Sequence, residues 1–482
     1  MRPLGALFFG HFGDRVGRKV TFLITITLMG LATFAIGFLP TYDTAGMTAP
    51  VLLISLRLLQ GFALGGEYGG AAIYVAEHAP SGLRGFLTGW IQTSAGVGFA
   101  SALGVIIVTR TTIGEAAFAD WGWRVPFLLS FGLLVISIFM RMRLKESPAF
   151  HRIKEEGALS DAPLIESFFN WRNLRLVLLA LFAIMISQGA IWYTVSFYLP
   201  SYLERVLKVD GLIVNQLMIV AIAVSTVLYV FFAWLSDLIG RKIVMMAGIL
   251  GAVLTLFPGV KLITQYANPA LVEASVSSPV RVSADPATCT IQFDPIGKTE
   301  YTASCDIAKA SLAQAGVGYT SIDGPVGAPA LVHIGAAEVV GVELTGLSAD
   351  QRKAGRAEFQ SRLRAALDTA GYPAKADPAR VDRLGILKVL LWFVVCACAL
   401  YGPQAAALVE LFPTRIRYSA LSLPYHIGTG WFGGFMPAIA FAIVTATGNL
   451  YSGLWFPVVV GAISLVVGLL LLPETKNRDI HD

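Results

Sequence analysis

Ten apolar stretches near twenty residues long recur along the chain, over 20–39, 51–75, 86–109, 124–142, 176–200, 212–235, 243–258, 385–408, 419–446 and 452–472. Crossing a hydrocarbon core roughly 30 Å thick takes about twenty helical residues. Helices satisfy their own backbone polar groups there, so runs of this length predict membrane-spanning helices. Composition agrees, with 55% of residues hydrophobic and 14% charged, against about a quarter charged in an ordinary soluble domain. The expected fold class is therefore an all-α polytopic membrane protein in contact with the lipid bilayer.

The net charge of +5 does not indicate a nucleic-acid partner, because the basic residues are scattered among short loops and form no dense patch with interleaved aromatics. Their sidedness is informative. Arg15, Arg18, Lys19, Arg84, Arg141, Arg143, Lys145, Arg241, Lys242, Arg415, Arg417 and Lys476 fall on one side of the alternating topology. The opposite short loops, 40–50 and 447–451, contain no Lys or Arg. The positive-inside rule makes the first set cytoplasmic and the membrane an inner, cytoplasmic one. No signal peptide is expected, since Leu4 to Gly10 runs into a charged loop and not a small-residue cleavage site. That stretch reads as the end of a helix, so the chain is expected to begin inside a span, with Met1 a mis-set start.

Internal repetition organises the rest. Asp14-Arg15-Val16-Gly17-Arg18-Lys19 and Asp237-Leu238-Ile239-Gly240-Arg241-Lys242 each follow one apolar run and open the next. Two related halves follow: 1–142, then a polar linker over 143–175 in which Ser147-Pro148 ends a helix, then a second half split into 176–260 and 385–472, with a tail over 473–482. Between its parts, residues 261–384 contain no run of membrane length. A small soluble α+β domain is expected there, with β-branched runs at Pro279 to Val282 and Thr290 to Phe293 as strands. Ser348 and Gln351 fit a capping box, with Phe359, Leu363 and Leu367 on one helical face and a stop at Gly371 and Pro373. Counting spans places the insert outside, in a periplasm where one exists. An oxidising compartment would allow Cys289 and Cys305 to pair; two unpaired thiols are the alternative. Cys396 and Cys398 lie in an apolar span and read as inert core.

The run Gly10 to Lys19 reads G-x-x-x-D-R-x-G-R-K, with glycines for tight turns and Asp14 at the start of the following helix, where an acid suits the dipole. It resembles the loop between the second and third helices of the major facilitator superfamily. Arg57-Leu58-Leu59-Gln60-Gly61 resembles that superfamily's Arg followed by x-x-Gln-Gly in the fourth helix. The runs Gly65 to Gly70, Glu77-His78-Ala79-Pro80, Glu146-Ser147-Pro148 and Glu410 to Arg417 are similar to the metabolite:proton symporter family. That resemblance implies two helical bundles of a secondary transporter carrying small metabolites such as shikimate, 2-oxoglutarate, citrate, proline or betaine with protons. It covers about three quarters of the chain and implies twelve helices, of which the first and part of the second are missing here. The insert stands where the family has a short outer loop between the ninth and tenth helices.

A charge inside a span is costly and marks a functional position. Arg57, Gln60, Leu64 and Glu67 share one face of a helix at about 100° per residue, and that face is expected to line the cavity. Glu67 is the expected proton-coupling carboxyl, and Arg57 draws an anionic substrate or tunes Glu67; a structural ion pair is the alternative. Tyr68, Gln92, Gln188, Trp192, Tyr193, Tyr401, Gln404, Tyr425, His426 and Trp431 are candidates for the substrate site between the halves. Gly13, Asp14, Gly17, Arg18, Asp237, Gly240 and Arg241 are expected to latch helix ends across the halves in one conformation and release them in the other.

The usual signatures of metal sites, nucleophile elbows and P-loops are absent from the sequence, so an enzyme, a cofactor or a metal is not expected. A drug:proton exporter shares the fold, but Phe86 to Thr109 lacks the Gly-Pro pair that such exporters carry. The remaining alternative is a transporter-like sensor whose insert binds a ligand or partner; the sequence names no partner for the insert.

Overall fold

The computed structural model describes residues 1–294 and 299–480. The first half comprises α1 (Arg2–Arg15), α2 (Arg18–Ile36), α3 (Thr48–His78), α4 (Arg84–Ile113) and α5 (Arg124–Met142). The second opens with α6 (Trp171–Val206), α7 (Gly211–Ile239) and α8 (Arg241–Ala267). An α+β unit then carries α9 (Ser304–Ala315) and α10 (Ala349–Thr369). The second half resumes with α11 (Arg383–Leu411), α12 (Thr414–Thr447) and α13 (Ser452–Leu471). Helices α2 to α8 and α11 to α13 are long and apolar enough to cross a membrane, ten among the described residues, and each overlies one of the ten expected spans. Leu133, Val227, Leu254 and Leu470 are 65–75% exposed on outer faces, surface that only lipid or another apolar partner can cover.

Several boundaries differ from expectation. Helix α1 continues through Gly13 and Asp14, so Asp14 closes α1 and does not open α2. The turn shrinks to Val16-Gly17, with Gly17 at φ +130°. Its counterpart Gly240 sits at φ +111°, a region open to glycine alone without strain. Helix α8 runs past Pro258 to Ala267, so the second half extends further than 260; Pro removes one hydrogen bond but packed neighbours hold such a helix together. Ser147 begins a helix and does not end one: its Oγ accepts from the Phe150 N–H at 3.0 Å, with Pro148 in the first turn.

The α+β unit is a four-stranded sheet in the order β2-β1-β3-β4, with β1 (Val280–Ala284), β2 (Thr320–Asp323), β3 (Leu331–Ile334) and β4 (Ala337–Val340). Strand β1 pairs parallel with β2 across α9 and antiparallel with β3. Thr290 to Phe293 is not a strand; Thr290 and Gln292 are hydrogen-bonded to Asp306 on α9, which leaves no partner strand beside them. The Ser348–Gln351 capping box forms, and Phe359, Leu363 and Leu367 are buried on one face of α10. Cys289 and Cys305 form a disulfide with their Cα atoms 5.3 Å apart. Asp285, accepting from the Gly327 and Ala287 amides, is held below the usual carboxylate range. The unit is fastened to the second half at the end away from Gly240: Tyr319 N–H donates to the Gly448 carbonyl at 2.8 Å, Lys208 Nζ to the Gln314 carbonyl at 2.6 Å and Ala376 N–H to the Lys208 carbonyl at 3.0 Å.

Within the second half, α6 and α12 cross at backbone distance. A Cβ on Gly428 would strike the Met185 carbonyl, and one on Gly189 the Gly428 carbonyl. Small residues at such crossings are how membrane helices approach. Gly189→Val is therefore expected to lower stability in detergent by at least the roughly 1–3 kcal/mol typical of overpacking, read as a drop in melting temperature, while Gly98→Ala, at a glycine with no neighbour within 4 Å, leaves it unchanged.

Candidate functional site

The halves meet along two helix pairs, α1 with the first part of α12 and α4 with α7. At one end of this seam each half places a carboxylate on the first turn of a helix in the other. Asp14, ending α1, accepts from the N–H groups of Tyr418 and Ser419 at 3.0 and 2.8 Å. Asp237, near the end of α7, accepts from Gly85 and Phe86 at 2.9 and 2.7 Å. The first N–H groups of a helix have no intrahelical acceptor and sit at the positive end of its dipole, so an anion there satisfies both demands.

The charges around these caps repeat as well. Glu77, ending α3, takes Arg18 at 3.3 Å from its own half and Arg417 at 2.5 Å from the other, and also accepts from Ser147 Oγ. Glu410, ending α11, takes Arg241 at 3.1 Å, Arg84 of the other half at 3.9 Å and Thr475 Oγ1 at 2.8 Å. Glu146 accepts from the backbone N–H groups of Arg18 and Lys19, both at 3.2 Å. Glu474 does the same for Arg241 and Lys242 at 2.9 and 3.1 Å. The eight residues Asp14, Arg18, Glu77, Arg84, Asp237, Arg241, Glu410 and Arg417 are only 1–6% exposed. With two acids and two arginines around each copy, charge balances in the interior, which is the condition for burying it.

The tail folds over this end. Arg417 and Arg84, the arginines that cross between halves, donate to the Ile480 and Arg478 carbonyls at 2.8 and 2.9 Å. The expected latch residues Gly13, Asp14, Gly17, Arg18, Asp237, Gly240 and Arg241 are thus gathered at one end. Their partners Glu77, Arg84, Glu146, Glu410, Arg417 and Glu474 were not among the sequence candidates. The spacing E-x-x-P-x-x-x-R, in Glu77 to Arg84 and again in Glu410 to Arg417, was the signal that would have found four of them, Glu77, Arg84, Glu410 and Arg417.

Further along the seam lies a polar and aromatic cluster. Tyr68 of α3 stacks on Tyr425 of α12 with ring centroids 3.7 Å apart. Its hydroxyl accepts from Gln92 at 2.9 Å and from Gln404 at 3.3 Å, on α4 and α11. Tyr401 and Tyr425 hydroxyls lie 3.2 Å apart, and Trp192 donates to Tyr229 at 2.9 Å. Beside them a cavity of about 280 Å³ opens between the halves, lined by Gln92 and Phe99 on one side and Trp192, Tyr229, Cys398 and Tyr401 on the other. The Gln188 and Gln404 side-chain oxygens are buried without a hydrogen-bond partner among the described residues, and the His426 ring is buried beside the Gly65 backbone. Wider π-type turns at Ala180–Met185, Thr194–Tyr198 and Gly428–Gly433 flank these positions, a distortion common where helices carry function. Tyr193 packs against Trp192 and Phe197.

The face bearing Arg57, Gln60 and Glu67 points elsewhere, which corrects the expectation that it lines the cavity between the halves. Gln60 donates to Thr33 of α2 at 2.8 Å and Arg57 to Gln60 at 3.1 Å. Glu67 pairs with Arg141 of α5 at 3.8 Å, and that guanidinium lies over the Phe22 ring. These contacts stay within the first half. One residue, about 100° around the helix, separates Glu67 from Tyr68, and it is Tyr68 that α3 presents to the other half.

Two repeated helical halves, joined through buried charge at one end and enclosing an aromatic cavity at their seam, define a multi-pass membrane protein of the two-bundle transporter architecture. The Major Facilitator Superfamily profile matches residues 3–275 and that for sugar (and other) transporters matches residues 370–482; the chain belongs to the major facilitator superfamily. It is 40% identical over 257 residues to the proline/betaine transporter of Escherichia coli K12, covering 50% of each chain. It is 28% identical to the glycine betaine/proline/ectoine/pipecolic acid transporter of Dickeya dadantii, over 100% of this chain and 74% of that protein. The shikimate transporter of Escherichia coli K12 is 34% identical over 53% of this chain and 58% of its own length. The matched stretch thus spans about half the length of the proline/betaine transporters. Among solved structures, a proton:xylose symporter bound to 6-bromo-6-deoxy-D-glucose aligns over 100% of this chain and 85% of its own, with a TM-score of 0.58 at 15% identity, a likeness of fold.

Removing one partner of a buried ion pair costs about 3–5 kcal/mol. Glu77→Ala leaves Arg18 and Arg417 unpaired, so a loss of that size is expected in denaturant unfolding. A double-mutant cycle with Arg417→Ala should return a coupling above about 1 kcal/mol; coupling near zero would show that the two side chains do not hold each other.

Proposed function

We propose that this protein is a secondary active transporter that imports a small carboxylate-bearing metabolite together with protons by alternating access. The observation carrying this reading is the reciprocal closure at the motif-bearing end: each half caps a helix of the other, so the halves cannot part there without breaking both caps. A cavity between the halves, shut at one end by contacts that can all be broken together, is what an alternating-access cycle needs. The relatives named for proline, betaine and shikimate transport support a substrate bearing a carboxylate.

The positive-inside rule assigns the motif end to the cytoplasm, so the conformation described is closed inward. The α+β unit then lies on the outer side of the cytoplasmic membrane, where its disulfide is at home. Glu67, paired with Arg141 at 3.8 Å inside the first half, is the proton-coupling carboxyl of this proposal: taking up a proton releases Arg141, and losing it restores the pair.

Uptake into proteoliposomes under an imposed proton gradient tests this, with radiolabelled betaine, proline, shikimate and dicarboxylates. Gradient-dependent accumulation of one compound is the expected result; accumulation of none, with ligand binding to the outer unit, would return the sensor reading. Asp14→Asn is expected to lower the maximal rate several-fold while leaving KM within about twofold, because it weakens a contact of one state and not the substrate site. Glu67→Gln is expected to flatten the pH dependence of uptake, and wild-type pH dependence in that variant would remove Glu67 from the coupling role.

A further inference from the structure

Two cavities of about 340 and 400 Å³ adjoin between α9, α10 and the turn that joins α6 to α7, sharing Ser311, Gln314 and Gln360 in their walls. Each is within the size range of a small-molecule site. Their charge is one-sided. Arg205 and Arg356 line the first, Lys208 and Arg364 the second. Among the described residues Asp294 is the one acid in either lining, and it accepts from the Thr299 N–H at 2.7 Å.

The cations come from two directions. Arg356, Gln360 and Arg364 stand at i, i+4 and i+8 of α10, one stripe on which the two arginines are about 12 Å apart. Arg205 and Lys208 belong to the second half, whose α12 adds Phe441 and Thr445 to the lining of the first cavity. The backbone under this second pair is distorted twice. Arg205 lies in a wide π-type turn, Tyr202–Val206. Lys208 has a φ of +59°, the sole non-glycine residue with positive φ among the described residues. Such conformations are costly and collect at functional sites.

No ion pair inside the groove neutralises these cations among the described residues. Arg356 donates to the Tyr301 carbonyl at 2.7 Å and Lys208 to that of Gln314 at 2.6 Å, neither of them a charged partner. Arg364 meets Asp368 one turn along at 2.5 Å. That pair is exposed and worth little, and it leaves most of the five guanidinium donors open. Burial, and after it the neighbouring Arg364, hold the Lys208 ammonium below its ordinary range. Cations that share a cavity and press on one another are relieved by an anion placed between them.

We propose that this groove binds a small hydroxylated dicarboxylate, at a site separate from the cavity between the halves. Arg356 with Arg205 takes one carboxylate and Arg364 with Lys208 the other, through charge-assisted hydrogen bonds. Gln360, Gln314 and Ser311 meet the hydroxyls between them. With about 3 Å given to the hydrogen bond at each end, the roughly 12 Å between the arginines leaves about 6 Å, the span of a chain of about four to six carbons. Since two of the cations belong to the second half and two to the α+β unit, the bound ligand also braces one against the other.

Gln360, midway along the stripe, is exposed. Cys289 and Cys305 are paired, and Cys396 and Cys398 are buried. Gln360→Cys therefore gives the full chain one accessible thiol inside the groove while leaving the charged ends untouched. Its rate of labelling by a polar maleimide in detergent micelles reads occupancy of the groove. Tartrate and the six-carbon galactarate are expected to slow labelling severalfold, while the neutral diamide of tartrate, and sulfate at equal charge, leave the rate unchanged. Adding Arg356→Gln or Arg364→Gln is expected to raise the tartrate concentration for half-protection roughly 10-fold or more. Lys353→Gln removes an exposed cation of α10 outside both linings and is expected to change nothing. The comparison of probes on the Gln360→Cys chain needs no further variant to fold. Protection by the diamide or by sulfate equal to that by tartrate, or protection by none of them, overturns the proposal, as does unchanged tartrate protection in both arginine variants. Transport is decided by uptake, so any of these failures leaves the transport reading standing.

Discussion

Four backbone N–H groups and two carboxylates hold the two halves of this protein together at one end. Asp14 and Asp237 each stand at the end of one helix and cap the start of another across the seam. Everything else at that end follows from this placement. The two glycine turns at Gly17 and Gly240 bring the next helices back so that Arg18 and Arg241 point inward. The buried arginines then need acids, which Glu77 and Glu410 supply, and the freed N–H groups of the returning helices need acceptors, which Glu146 and Glu474 supply. The arrangement is self-consistent only as a whole, since a buried charge without its partner is far more costly than the pair.

The two copies are not equal. In one, the pairing across the halves is tight, Arg417 to Glu77 at 2.5 Å; in the other, Arg84 stands 3.9 Å from Glu410 and gives its hydrogen bond to the Arg478 carbonyl. Arg241 compensates by binding Asp237 directly at 2.6 Å, a contact that Arg18 and Asp14 do not make. The Glu77 copy is therefore bound mainly between halves and the Glu410 copy mainly within one half. The tail lies over both crossing arginines, so its carbonyls complete a closure that side chains alone leave partly open.

Much of this was legible in the residues. Ten apolar runs gave ten helices because a run that long has no other way to satisfy its backbone in lipid, and the repeated Asp-x-x-Gly-Arg-Lys gave the halves. What failed had particular causes. Asp14 was expected to cap α2, the helix next in sequence, and caps α12 instead, because the capping partner of an acid is set by tertiary packing. Thr290 to Phe293 has strand composition but is captured by the Asp306 carboxylate. The span expected over 243–258 continues to Ala267, because a packed bundle carries the helix through Pro258. The face of α3 was misassigned for a simple reason: charge was taken as the mark of the seam, yet Glu67 and Gln60 found partners inside their own half, and the residue exposed to the other half was the adjacent Tyr68.

That last point bears on how a transporter of this build can keep its two tasks apart. On the transport reading, the contacts that break during a cycle are ionic or involve capped helix ends, grouped at one end where water can take over each partner as it is released. The contacts along the middle of the seam are aromatic stacks and neutral amide or phenol hydrogen bonds, Tyr68 on Tyr425 and Gln92 and Gln404 on Tyr68. Such contacts can slide or re-pair without stranding a charge in a low-dielectric interior, where an unpaired charge is most costly. With charge at the rim and rings at mid-seam, the halves can rock around a site whose own chemistry stays nearly constant.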